Sequence, residues 1–304
     1  MGVAGWCLYD WANSAFPNVI ITFVFAAYFT KGVAADEVTG TALWGQAIGW
    51  SALIVAVMGP IVGAISDHTG RRKPWLIAST LGCSIACGFL WPIIPDENMV
   101  LLALILIGAA NITFELGMVF YNAMLADLVS SDRIGRVSGW GWGTGYAGGL
   151  ICLVLVLVLF VQTETPLFNL IKDVAEQLRA VGPFVAIWMV LFAVPLFLFT
   201  KDRPATGIGM GEAVRHGFKE LIQTLKNARQ NAIAFKFLIA RMIYTDRLNT
   251  LFAFGGIYAA GTFGMSFADL IKFGIGLNVS ADFGAFRFAW LDDRWGSKKV
   301  IWFH

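Results

Sequence analysis

The sequence predicts an all-α protein that crosses a membrane many times, and three observations carry that prediction. Of its 304 residues, 58% are hydrophobic and 14% charged, with a mean hydropathy of +0.70. Soluble chains average about 25% charged residues. The apolar residues gather into eight runs of about 20 residues each, the length an α-helix needs to span a bilayer. The basic residues are shared unequally between alternate loops, as in multi-pass proteins. Disorder, collagen and a disulfide-stapled secreted domain are excluded by the same composition. The 22 basic and 20 acidic residues balance too closely for a nucleic-acid partner, and no basic stripe with interleaved aromatics appears.

The runs are Trp6–Thr30, Leu43–Ser66, Trp75–Ile94, Met99–Ala126, Ser138–Val161, Pro183–Thr200, Phe235–Ala259 and Phe267–Trp290. No Lys or Arg lies in Met1–Trp6, so the first run reads as a retained helix and not as a signal peptide. The second carries Gly59-Pro60-Ile61-Val62-Gly63, tolerated in a membrane because neighbouring helices satisfy the freed backbone groups. The third holds Cys83 and Cys87 on one face. With Cys7 and Cys152 they read as buried free thiols, since no His or carboxylate joins them as a metal set.

The fourth run places Asn111, Glu115, Met118 and Asn122 on one face. An unpaired mid-membrane carboxylate costs about 2.5–3.5 kcal/mol on insertion scales. Glu115 therefore reads either as a proton-coupling group facing a wet cavity or as a carboxyl hydrogen-bonded within the bundle. The fifth run is the glycine helix, with Gly139, Gly141, Gly143, Gly145, Gly148 and Gly149 permitting close helix approach. Its Trp140, Trp142 and Tyr146 line a cavity or sit at the interface, with Trp140 favouring the interface.

Most of the 22 Lys and Arg fall in loops after even-numbered runs; Lys31, Lys172 and Arg179 fall in the others. The positive-inside rule then puts the N-terminus in the cytoplasm of a multi-pass integral protein, in the cell (inner) membrane if the source is prokaryotic. A long connection divides the chain into a six-helix bundle (1–200), a cytoplasmic linker (201–234) and a partial second bundle (235–304). Within the linker, Gly211–Gln230 patterns as an amphipathic helix with Val214, Phe218, Leu221, Ile222 and Leu225 on one face. Arg215, Lys219, Lys226 and Arg229 occupy the rest, which suits an anionic leaflet, a solvated linker being the alternative.

Two motifs recur in register. Asp10-Trp11-Ala12-Asn13-Ser14 in the first run matches Asp246-Arg247-Leu248-Asn249-Thr250 in the seventh as D-x-x-N-[ST]. Asp67-His68-Thr69-Gly70-Arg71-Arg72 after the second run matches Asp293-Arg294-Trp295-Gly296-Ser297-Lys298 after the eighth. Order and membrane side agree, as parallel repeats require. The second repeat stops at His304 after two helices, so the chain reads as C-terminally truncated. Pseudo-two-fold symmetry predicts Asp10-Asn13 and Asp246-Asn249 opposite each other across a central cavity, each Asp bracing its own bundle being the alternative. Arg241 and Arg247 add charge expected to be buried, and Asp269 with Lys272 is expected at the outer interface.

The stretch Gly63-Ala64-Ile65-Ser66-Asp67-His68-Thr69-Gly70-Arg71-Arg72 resembles the G-x-x-x-D-[RK]-x-G-[RK]-[RK] loop signature of the major facilitator superfamily. Tyr9–Ala15, Ser138–Gly149 and Leu248–Gly256 are similar to its vacuole-effluxer-like branch, which includes the fungal autophagy amino-acid effluxers. His68 departs from the signature, as do Ala289 and Ser297 in the second copy. The resemblance implies the major facilitator fold of two six-helix bundles, here a complete first bundle and the first two helices of the second. It also implies alternating access and a loop that latches the bundles. Gly63, Asp67, Gly70, Arg71, Arg72, Asp293, Gly296 and Lys298 are the latch residues, with Asp67 accepting from Arg71 or a helix N-terminus. The alternative is that the loop arginines serve topology alone.

The resulting expectation is a secondary active transporter of a small solute, with amino-acid efflux implied by the resemblance. The alternative is a non-transporting membrane fragment or scaffold lacking helices nine to twelve. Substrate-contact candidates are Asp10, Asn13, Asn111, Glu115, Asn122, Arg241, Asp246 and Asn249, with Glu115 the candidate for a coupling proton. Partners are the substrate, the bilayer and protons; no cofactor, metal or enzymatic set is expected, because His68, His216 and His304 lie in or at loops.

Overall fold

In the computed structural model the described residues are 1–130, 133–163, 167–207, 209–230 and 232–295, and all their regular structure is helical. Helix α1 runs over Gly2–Val33. It is α-helical over Gly2–Asn13 and opens into π turns at Phe16–Phe23 and Phe29–Val33. Pro17 accounts for the first opening: it lacks an N–H and its ring crowds the Asn13 carbonyl, so the ladder shifts to the wider spacing. From Val19 to Thr30 every residue is buried, so α1 is the centre of the assembly.

Around it stand α2 (Glu37–Thr69), α3 (Lys73–Gly88), α4 (Val100–Leu128), α5 (Ile134–Val156, continued by a π turn to Val161) and α6 (Val181–Phe199). Asp36 starts α2 by accepting the Val38 and Thr39 N–H groups at 2.9 Å. Those bonds and the Thr39 hydroxyl hold its carboxyl below the usual carboxylate range, the Thr39 N–H contributing most. Gly70 ends α2 in the left-handed region at φ +83°, where a Cβ would also fall 2.3 Å from the Pro204 carbonyl oxygen. The third helix ends six residues before the apolar run does. Pro92 and Pro95 follow closely, and the chain instead turns through Leu90–Ile93.

Helix α7 (Met210–Gln230) packs against α2, and α8 (Ala232–Thr262) and α9 (Phe267–Trp295) follow. Helix α1 lies between α5 and α6, α3 between α4 and α6, and α2 against α4. The α5 glycines make the first of these contacts possible. A Cβ at Gly148 would stand 2.5 Å from the Trp11 carbonyl oxygen, and one at Gly141 would stand 2.6 Å from the Trp6 ring. The outward faces carry Leu53, Val57, Leu101, Ile105, Ile187 and Leu191 exposed. A belt of this kind is stable only against hydrocarbon. All four cysteines are free and buried, and Trp140 is exposed.

Candidate functional site

The first cluster forms where α1, α4 and α5 meet. Asp10 is buried, its carboxyl beside the Tyr121 hydroxyl and the Asn13 amide, with Gly141 and Gly145 of α5 close behind. The Tyr121 ring stacks on Trp6 at 4.3 Å between centroids, and the Trp6 indole N–H donates to the Tyr121 carbonyl at 3.1 Å. Asn13, 3% exposed, donates to the Met118 sulfur at 3.1 Å. Two turns earlier on α4, Asn111 donates to the Ser51 hydroxyl of α2 at 2.8 Å. Asp10, Asn13 and Asn111 thus join helices of the same bundle.

Glu115 lies between Asn111 and Met118 on α4, half-buried, and has no hydrogen-bond or ion-pair partner among the described residues. Asn122, two turns on, is exposed. The α4 stripe is therefore shared: Asn111 and Met118 brace α2 and α1, while Glu115 and Asn122 keep free polar atoms.

The two repeated pairs lie in unlike surroundings. Asp246 is exposed on α8 and, with Leu238, Arg241, Met242 and Thr245, lines an open hollow of about 410 Å³. Arg241 and Arg247, expected to be buried, are exposed. The physical reason is that the first half of α8 stands away from α1, and the two helices meet only further along. The Asn249 side chain lies outside the described residues. Asp269 pairs with Lys272 at 3.5 Å and accepts from the Ser266 hydroxyl at 2.7 Å, at the first turn of α9.

Where α8 and α9 do meet α1, the approach is very close. A Cβ at Gly256 would fall 1.8 Å from the Thr22 carbonyl oxygen, and one at Gly274 would fall 2.8 Å from the Phe23 ring. The Asn278 amide donates to Asn18 Oδ1 at 3.3 Å. The Lys31 ammonium donates to the Ala260 carbonyl at 3.1 Å and stands 3.7 Å from Glu37. Ala260 is in the last turn of α8, whose carbonyls have no partner within the helix, so a cation there also meets the negative end of the helix dipole.

A further polar cluster surrounds the loop after α2, where the sequence predicted a latch. Asp67 was expected to accept from Arg71; the structure pairs it with Arg72, at 2.5 Å, and leaves Arg71 exposed. The left-handed turn at Gly70 sends the chain back under α2, and this brings the second arginine, and not the first, beneath Asp67. Arg72 also pairs with Asp127 at the end of α4 and donates to the Ala123 carbonyl at 2.5 Å. Arg203 holds the other Asp127 oxygen. Asp202 accepts the Arg72 and Lys73 N–H groups at 3.0 and 3.2 Å, capping α3 from a distance of many residues. The Asp293 side chain, Gly296 and Lys298 lie outside the described residues.

The family model described as vacuole effluxer Atg22 like matches residues 32–304. The chain belongs to this family. Among relatives of this Atg22-like chain, the MFS-type transporter YxiO of Bacillus subtilis is 31% identical over 84% of the chain and 59% of that protein. Autophagy-related protein 22 of Yarrowia lipolytica is 24% identical over 59% of the chain and 33% of its own length. That of Kluyveromyces lactis is 24% identical over 77% and 49%. The chain thus spans three fifths or less of these relatives. The solved xylose transporter XylE from E. coli, in a partially occluded inward-open conformation, matches with TM-score 0.62 at 16% identity. The match covers 98% of the chain and 74% of XylE. The major facilitator fold, in a multi-pass integral membrane protein, is therefore established.

Several residues of the Atg22-like chain's polar clusters escape a sequence reading. Asp127, Asp202 and Arg203 complete the polar network around this loop from two separate stretches. Their signal is that two acids sit on the basic-rich side of the helices, where they need cations. Lys31, one of the few bases in the alternate loops, had the same kind of signal. Asn18 and Asn278 had none, because single amides in apolar runs are ordinary.

Proposed function

We propose that the chain forms the substrate-handling core of a secondary active transporter that moves a small solute, with neutral amino acids as the class, by alternating access. The observation that carries this reading is the two-ended seam between α1 and α8. The helices press together from Thr22 to Lys31, whereas the other half of α8 stands open around Arg241 and Asp246. A gate that is closed at one end and open at the other is what such a carrier requires. In this reading 1–200 is the first bundle, 201–234 the linker and 235–304 the start of the second bundle. The N-terminus is cytoplasmic, as the Lys and Arg distribution supports, and the seam closes the outer side of a cell membrane.

Arg241 receives the carboxylate of the amino acid and Asp246 its ammonium, both through charge-assisted bonds. Glu115, which keeps a free carboxyl on α4, carries the coupling proton, and Asn122 on the same helix contributes a further polar contact to the solute. Asp10, Asn13 and Asn111 keep the bundle in register. The test is counterflow of radiolabelled amino acids in proteoliposomes holding the 304-residue chain. Arg241→Gln is expected to raise KM about 10–100-fold, the loss of one charged hydrogen bond. Glu115→Gln is expected to keep counterflow and lose accumulation driven by a pH gradient. If no amino acid supports counterflow, the substrate class is wrong; if Glu115→Gln still accumulates substrate, the proton resides elsewhere.

A further inference from the structure

Helix α7 has two opposite faces with different chemistry. Ala213 and Gly217 are buried, and a Cβ at Gly217 would stand 2.6 Å from the Ala64 Cβ, so this face grips α2. Arg215, Phe218, Lys219, Ile222 and Lys226 are all exposed, with Phe218 at 44% and Ile222 at 52%. At 3.6 residues per turn these five fall in a stripe about 100° wide, directly opposite the gripping face. Three cations interleaved with two large apolar side chains would be a poor surface in plain water. Glu212, exposed at the edge of the stripe, is the acid nearest to it in helical register among residues with described side chains.

The sequence pattern puts Val214, Phe218, Leu221, Ile222 and Leu225 on one face. Val214 is half-buried and Phe218 and Ile222 turn outward among the bases, while the Leu221 and Leu225 side chains lie outside the described residues. The gripped residue, Ala64, lies one position from Gly63 and three from Asp67, near the end of a membrane-spanning helix. That end must lie close to the bilayer surface.

We propose that this stripe docks on the anionic phospholipid headgroups of the adjoining leaflet, with Phe218 and Ile222 entering the acyl boundary and Arg215, Lys219 and Lys226 binding phosphate. Charge complementarity selects the occupant: basic side chains near an anionic surface are attracted additively, and the apolar pair adds burial that a soluble acidic partner does not need. Because the opposite face holds α2 beside the latch loop, lipid charge bears on the loop through a single helix.

The four native cysteines are buried, so Ile222→Cys labels selectively with an environment-sensitive fluorophore. The labelled full chain is placed in phosphatidylcholine vesicles, and in vesicles with about a third phosphatidylglycerol, whose surface potential draws in bases. Emission is expected to shift to the blue, and to be quenched by lipid-borne nitroxide, in the anionic vesicles alone, with both effects lost near 0.5 M salt. Lys219→Gln with Lys226→Gln is expected to lower the lipid-facing to water-facing ratio about 25-fold, roughly fivefold per charge. Lys219→Arg with Lys226→Arg is expected to restore it, which separates charge from damage to the fold. Equal emission in both vesicles overturns the proposal. So does a label already shielded in detergent, which would mean that protein covers the stripe.

Discussion

Neutralising Asp127 tests the Asp67–Arg72–Asp127 ion-pair network where it is most deeply placed. The Arg72 side chain is 7% exposed and its partners differ: Asp127 is 22% exposed and Asp67 56%. Removing one member of a buried pair costs about 3–5 kcal/mol because the other charge stays behind, whereas exposed pairs are worth about 0–1 kcal/mol. Asp127→Asn leaves Arg72 with Asp67 and the Ala123 carbonyl, so the low end, about 3 kcal/mol, applies. The lost Arg203 contact, 45% exposed on the arginine side, adds about 0.5 kcal/mol at most. Asp67→Asn should cost about 0.5 kcal/mol. At ~2–4 °C per kcal/mol, the scale for domains of 150–250 residues, Asp127→Asn lowers the unfolding midpoint by about 6–14 °C and Asp67→Asn by about 2 °C or less. The assay is thermal unfolding in detergent, read by intrinsic tryptophan fluorescence. If Asp67→Asn falls as far as Asp127→Asn, the burial-based ranking of the two pairs is refuted.

Gly148→Ala is expected to destabilise by about 1–3 kcal/mol, because its Cβ meets the Trp11 backbone, which cannot rotate away. Gly135→Ala on the same helix, where a Cβ meets nothing, should be neutral or stabilising by about 0.4–1 kcal/mol; the same unfolding assay compares them. Asp36 has a folded pKa below its unfolded value, chiefly through the Thr39 N–H, so its stabilisation is complete above the unfolded pKa of about 3.9 and disappears as pH falls through the folded value. Asp36→Asn should therefore flatten the acid limb of a pH–stability curve, and an unchanged limb would remove Asp36 from that account.

The helices were readable in the sequence because lipid imposes one rule on every outward face: long apolar runs with internally satisfied backbones. The third run was read too long only where Pro92 and Pro95, apolar by composition, interrupt the helix. The spacing of Gly141, Gly145, Gly148 and Gly149 announced a close approach, but not that Asp10, Trp11 and Asn18 of α1 would be the approaching residues. Periodicity assigns a residue to a face and leaves the neighbour of that face open, which is why Asn13 reads as a cavity residue and lies against Met118. Choosing between Arg71 and Arg72 needs the turn at Gly70 and the position of Asp127, both set by tertiary contacts. The repeat assigns Asp246 a place along the chain, whereas its exposure depends on how far α8 stands from α1.

Helix α1 has one more consequence, for the order in which the protein is made. Of the five helices among the described residues that are long and apolar enough to cross a membrane, it is the least apolar and by far the most enclosed. It is also the first to leave the ribosome. Its polar side chains Asp10, Asn13 and Asn18 find their surroundings on α4, α5 and α9, all synthesised later. Until α5 arrives, these groups face lipid or the insertion machinery, at a cost of up to a few kcal/mol for the carboxylate alone. Entry of the first segment into the bilayer is therefore underwritten by the fourth and fifth, and a defect in the glycine face of α5 would be felt as failed retention of a helix more than a hundred residues upstream.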